Sequence, residues 1–175
     1  MTAPTPSQTV GPFFRFGFEW MDFTTDLAPT GEPGAITLSG RVIDGTGRGV
    51  GDAVVEIFQA KPDGTFSESA SDPWLGFGRC LTASDGGYSF RTLKPGSVDR
   101  TQAPHIDVSV FARGLLQRAT TRIYFPDEAA ANSVDPLLSS IEEGRRATLI
   151  ARQESSGLRF DVRLQGEGET VFFAW

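Results

Sequence analysis

The sequence is short of the residues from which metal centres, disulfides and membrane spans are made. It has one histidine, His105, and one cysteine, Cys80, in 175 residues. A lone cysteine rules out an intrachain disulfide, and a single His with a single Cys cannot supply the converging ligands of a zinc or iron centre. The only tyrosines, Tyr88 and Tyr124, lie inside strand patterns that packing accounts for. No apolar run is long enough to span a bilayer, and no basic start leads into an apolar leader, so a cytoplasmic protein without a membrane partner is expected. Basic charge is in deficit, with 16 Lys and Arg against 22 Asp and Glu for a formal charge of -6. Without a basic stripe to meet phosphates, a nucleic-acid partner is set aside. Walker and Rossmann glycine loops, internal repeats and low-complexity tracts are also absent.

What is present is apolar and aromatic material for a core: 39% hydrophobic residues, 14 Phe and 3 Trp. That suits one globular domain over residues 1–175. Short alternating runs bounded by turn residues make it mainly β. Residues 36–43 read as a strand, Asp44-Gly45-Thr46-Gly47 as a tight turn, and 53–60 as a β-branched return expected to pair antiparallel with 36–43. A second turn at 84–87 leads into a strand at 88–93. The cleanest alternation is 158–164, with Leu158, Phe160, Val162 and Leu164 inward and Arg159, Asp161 and Arg163 outward. This spacing is that of an antiparallel β-sandwich. Residues 61–81, carrying Trp74 and Phe77, read as a long loop of the kind that is functional or docked. Residues 129–132 read as a short helix with Pro126 in its first turn and Asp127 and Glu128 at its positive end; 136–141 read as a turn, and 145–152 as a strand or connector.

Residues 1–20 form an N-terminal arm, kept extended by Pro4, Pro6, Pro12, Gly11 and Gly17. Phe13, Phe14, Phe16, Phe18 and Trp20 need apolar cover, either from the arm's own domain or from another chain. The apolar C-terminus, with two Phe and a Trp, must likewise be buried against a surface.

The functional question centres on residues 94–124. After Pro95-Gly96 and a polar loop, Ile106, Val108 and Val110 share one strand face while Asp107, Ser109 and Phe111 share the other. His105, Asp107 and Ser109 do not make a hydrolase triad, because alternate residues stack along a strand instead of converging on the imidazole. Glu167 and Glu169 belong to a solvated glycine-rich turn. In the following strand Ile123 and Phe125 point one way and Arg122 and Tyr124 the other. Arg122 has two uses open to it, an ion pair with Asp107 or attraction of an anionic substrate in a shared cleft.

Three strings, TPSQTVGPFF (5–14), APHIDVSVFARG (103–114) and QGEGETVFF (165–173), together with GRCLTASDGGYSF (78–90), resemble the intradiol ring-cleavage dioxygenases. Catalytic chains of that family carry a tyrosine after the Pro-Gly turn and then Arg-Pro-x-His-Ile-His. Here Val98 stands at the tyrosine's place, Gln102 at the arginine's and Asp107 at the second histidine's, and 61–81 contains no tyrosine to act as the remaining ligand. The resemblance implies a transthyretin-like sandwich and an alpha-type subunit with no metal or catalytic residue of its own. It further implies Fe(3+) held by a homologous beta subunit, a higher αβ oligomer, and protocatechuate with O2 as substrates at the shared site. Carried over residue by residue, Thr9, Gly11 and Pro12 would border the partner's substrate pocket, with Arg122 as a further substrate-binding candidate; Phe13 departs from the tyrosine common at its place. The generic hairpin patterns alone would also fit a non-enzymatic β-sandwich binding module, which the three strings do not.

Overall fold

The computed structural model describes residues 4–18, 24–68, 72, 74 and 76–174, and Trp20 of the arm and Trp175 of the tail lie outside them. Two sheets face each other. One is built on β1 (Ala35–Ile43), flanked by β4 (Gly87–Leu93) antiparallel and by β8 (Gly157–Arg159) parallel, with β7 (Arg152–Glu154) outermost and β9 (Val162–Arg163) also pairing β1. The other runs β3 (Phe77–Leu81), β2 (Val54–Phe58), β5 (His105–Phe111), β6 (Ala119–Tyr124), antiparallel throughout. Leu38, Val42, Tyr88, Phe90, Leu158, Phe160 and Val162 meet Val55, Ile57, Ile106, Val108, Val110 and Ile123 between the sheets. The inward parity expected for 106–110 and 158–162 is therefore realised, since period-two alternation puts every second side chain into one core.

The expected pairing of 36–43 with 53–60 does not form: those strands lie in opposite sheets. The turn after Asp44 exists, with Gly47 at φ +82°, but it returns only as far as one bridge between Ile43 and Gly49. The chain then passes so close beneath the 84–87 turn that a Cβ at Gly49 would lie 1.8 Å from Asp85 O. Thr82 fixes the crossing, its hydroxyl accepting from Ala53 N at 3.0 Å and donating to Val50 O at 2.7 Å.

Other differences also have local causes. The strand at 158–164 breaks at Phe160 and Asp161, where the Asp161 carboxylate accepts from Arg41 N at 3.0 Å in place of a backbone carbonyl. The last five residues of 61–81 are not loop but edge strand β3. The arm is not extended throughout: after Pro12 it coils into α1 (Phe13–Phe18), with Phe14 N donating to Gly11 O at 3.1 Å. Proline at a helix start has no N–H to satisfy and a φ already set for it. Three helices follow β6: α2 (Ala129–Val134), α3 (Pro136–Ser140) and α4 (Glu143–Arg146), the last running into a 3-10 turn at Ala147–Leu149, so 145–152 is helical before the bridge at Ile150. Pro126 precedes α2 instead of entering it, and Asp127 and Glu128 are drawn to Lys94 at 2.7 and 2.5 Å. Leu138 and Leu149 form a second core with Tyr124 and Ala103, and Val171 and Phe173 of the tail pack on it.

Candidate functional site

The loop before β5 is held from both ends. Asp99 turns it by accepting from Thr101 N at 2.7 Å and Gln102 N at 2.9 Å, and its second oxygen accepts from Gln102 Nε2 at 2.8 Å. These bonds hold its carboxyl well below the usual carboxylate range. At the far end Asp135, fully buried, accepts from Ala103 N at 2.9 Å with one oxygen. Its other oxygen caps α3 through Leu137 N and Leu138 N at 2.9 Å each and takes the Tyr124 hydroxyl at 3.2 Å. A fixed loop and a capped helix thus share one carboxylate.

His105 enters β5 buried, with Nδ1 2.8 Å from Ala103 O, which makes Nδ1 the protonated nitrogen. Burial lowers its pKa and the Arg122 charge adds to this, so the imidazole is neutral near pH 7. Asp107 lies on the outer face, opposite Arg122 in the β5–β6 register. Arg122 Nε donates to Asp107 Oδ1 at 2.8 Å, and another guanidinium nitrogen reaches Gln102 Oε1 at 3.2 Å. The guanidinium also engages the Tyr124 hydroxyl. Of the two uses open to Arg122, the ion pair with Asp107 is present.

This arrangement does not fit a ferric ion. Among the described residues no group of three or more His, Cys, Asp or Glu side chains is placed to hold a metal. The one carboxylate at a family ligand position already faces a guanidinium, and a second cation there would meet that charge across a few ångströms. His105 and Asp107 are brought to one strand end without converging, and Tyr88 is committed elsewhere, donating to Phe160 O at 2.5 Å.

The arm residues are at the other end of the same sheet. Thr9 Oγ1 accepts from Gly114 N at 2.7 Å, and Phe14 packs 6.1 Å from Phe111 at the far end of β5. Phe18 lies under the Arg79 guanidinium at 5.0 Å, and Arg15 donates to Gly51 O. The arm's own domain therefore covers Phe14 and Phe18, while Phe13 at 78% and Phe16 at 52% exposure face outward with Gly11 and Pro12. Thr9, Gly11 and Pro12 are neighbours; Arg122, beside His105's end of β5, does not join them. Asp135 is the residue that sequence reasoning missed, although an Asp before a Pro at a helix start carries the N-cap signal.

A family model described as dioxygenase matches residues 19–166. The protocatechuate 3,4-dioxygenase alpha chain of Burkholderia cepacia is 42% identical over 97% of this chain and 96% of that one. The beta chain of the same enzyme and organism is 32% identical over 85% of this chain and 73% of that one. Among solved structures, the dioxygenase domain of a dioxygenase and carbohydrate-binding protein fusion from Streptomyces sp. SirexAA-E superposes with a TM-score of 0.65 at 27% identity, over 94% of this chain and 99% of that domain. With the sandwich, the His105 strand and the ordered loop before it in place, the chain belongs to the intradiol dioxygenase family.

Proposed function

We propose that this chain is the iron-free alpha subunit of a protocatechuate 3,4-dioxygenase, which opens protocatechuate with O2 to 3-carboxy-cis,cis-muconate in aromatic catabolism. The observation that carries the reading is the pairing of Asp107 with Arg122 where a catalytic chain needs a ligand. The family is iron-dependent, and its likeness to both alpha and beta chains suits an αβ hetero-oligomer in which the homologous beta subunit holds Fe(3+). The metal supplies activation of the catecholate and oxygen; this chain's part is shape and charge.

Residues 1–20 act as an arm of the single sandwich domain, with Thr9, Gly11 and Pro12 bordering the partner's substrate pocket. Its chain neighbours aside, Gly11 has no atom of the described residues within 4 Å of where a Cβ would stand, which leaves its backbone open to close approach. Thr9 is anchored to Gly114, so the tip that follows it is presented from a fixed base. Arg122, whose charge Asp107 partly balances, is the further substrate-binding residue, drawing the anionic substrate through its field and not by a contact with the arm. Expression of the chain alone and together with its beta partner tests the reading. Iron and catechol cleavage are expected only with the partner; purple-red tyrosinate-iron colour in the chain alone would refute it.

A further inference from the structure

The outward residues of 158–164 are unused by the reading above, and they line a cleft of about 180 Å³. Arg159, Asp161 and Arg163 alternate along one face, and Arg152 joins them as the register partner of Arg159 across β7 and β8. Ala147 and Thr148 of the 3-10 turn, and Gly168 and Thr170 of the glycine-rich turn, also line it. That second turn is held in place by Thr170 Oγ1, which accepts from Arg163 N at 3.0 Å.

Acceptors are scarce in this cleft and donors are plentiful. Asp161 Oδ1 takes Arg41 N at 3.0 Å and Arg159 Nη2 at 2.9 Å, and Oδ2 takes Arg152 Nη2 at 2.9 Å and Arg159 Nε at 3.2 Å. Glu154 Oε1 stands 4.0 Å from Arg159 Nε as a second, longer ion pair. Arg163 makes no ion pair among the described residues. Each guanidinium offers five N–H donors in a planar fork, so one saturated carboxylate leaves most of the donors unmatched, and with Glu154 set against Arg159 one positive charge, that of Arg163, is left over. On a chain with a formal charge of -6 that local excess is out of character. Oxyanions with several acceptor oxygens match such forks bidentately.

We propose that this cleft binds a small multivalent oxyanion, phosphate-like or polycarboxylate, between Arg152 and Arg163 above the Arg159–Asp161 pair. Asp161 fixes Arg159 through its Nε and Nη2, and Arg163 supplies the uncompensated charge. The site is independent of the arm and of Arg122, on the opposite sheet, so occupancy and ring cleavage are separable.

Calorimetric titration of the αβ complex with inorganic phosphate and with citrate, each at constant ionic strength set by NaCl, tests the proposal. One saturable site per alpha chain is expected for at least one of them, weakened tenfold or more in both Arg163→Ala and Arg152→Ala, with protocatechuate cleavage unchanged. Saturation by phosphate alone identifies a compact tetrahedral anion, and saturation by citrate alone a polycarboxylate. No saturable heat from either, or undiminished binding in the two variants, overturns it. So does subunit dissociation by Arg163→Glu without anion binding in the wild type, which would make this face a subunit contact. Arg152 and Arg163 are exposed, and unchanged melting of the variants separates lost binding from lost fold.

Discussion

Arg122 and Asp107 face each other across β5 and β6 as direct register partners, 2.8 Å apart, and the arginine is the more enclosed of the two, 16% exposed against 38%. The asymmetry decides what each truncation leaves behind. Removing Asp107 takes the counter-charge from a largely enclosed guanidinium that keeps its contacts to Gln102 and Tyr124, whereas removing Arg122 leaves a carboxylate that water reaches. Asp107→Ala is expected to cost about 2–3 kcal/mol and Arg122→Ala about 1–2 kcal/mol, between the values for exposed and buried pairs. Urea unfolding of the isolated chain measures both; equal small losses would mark the pair as a solvated contact.

Arg122 also separates structure from function in kinetics. In the αβ complex Arg122→Gln is expected to lower kcat/KM for protocatechuate and to flatten its decline with salt, since a fixed positive charge steers an anion most at low ionic strength. Wild-type values at both ionic strengths would confine Arg122 to its role beside Asp107.

Asp135 is expected to be the costliest single carboxylate in the molecule. It caps α3, receives the Tyr124 hydroxyl and fixes Ala103, all while fully buried. Asp135→Ala leaves several donors unpaired and should cost about 3–4 kcal/mol, with Asp135→Asn costing less because its remaining oxygen still accepts. Thermal and urea melts of the two variants report the order.

These two sites show where the sequence was informative and where it was not. Alternation at 106–110 revealed the core face because parity depends only on the chain's own period, and Val98 and Asp107, standing where the family's catalytic chains carry ligands, were what pointed to a subunit without iron of its own. Parity says nothing about which strand is the neighbour, so the glycine-lined crossing at 49–51 turned a local hairpin into two strands of opposite sheets. Asp135 escaped notice because its value comes from Ala103 and Tyr124, far away in the chain. Extended reading of 13–18 failed because Pro12, which stiffens an arm, also starts a helix.

His105 gives the protein a pH dependence of definite sign. Its pKa is lowered in the fold, chiefly by burial, so the unfolded chain binds its proton more readily. The stability this represents is complete above the unfolded imidazole value of about 6.5 and is lost as pH falls below it. Between about pH 7.5 and about pH 5.5 the wild type should therefore lose more stability than His105→Gln, which cannot titrate. Parallel losses in the two proteins would mean the imidazole is solvated and does not feel the core.

The arm prediction concerns efficiency more than stability. Phe14 and Phe18 pack on the arm's own domain, but Gly11 and Pro12 touch little of it. Deletion of residues 1–12 should lower kcat/KM of the complex by a larger factor than it lowers the unfolding equilibrium constant. Unchanged kinetics with a large drop in melting temperature would make the arm a structural element.

In the function proposed for this chain the reacting metal belongs to the partner, and Arg122 faces Asp107 where a catalytic chain would hold a ligand. Iron counted in the chain purified alone and in the αβ complex, alongside the visible spectrum of each, tests it most directly. The account predicts one iron per αβ pair with tyrosinate colour, and neither iron nor colour in the chain alone. Stoichiometric iron with that colour in the isolated chain would contradict it.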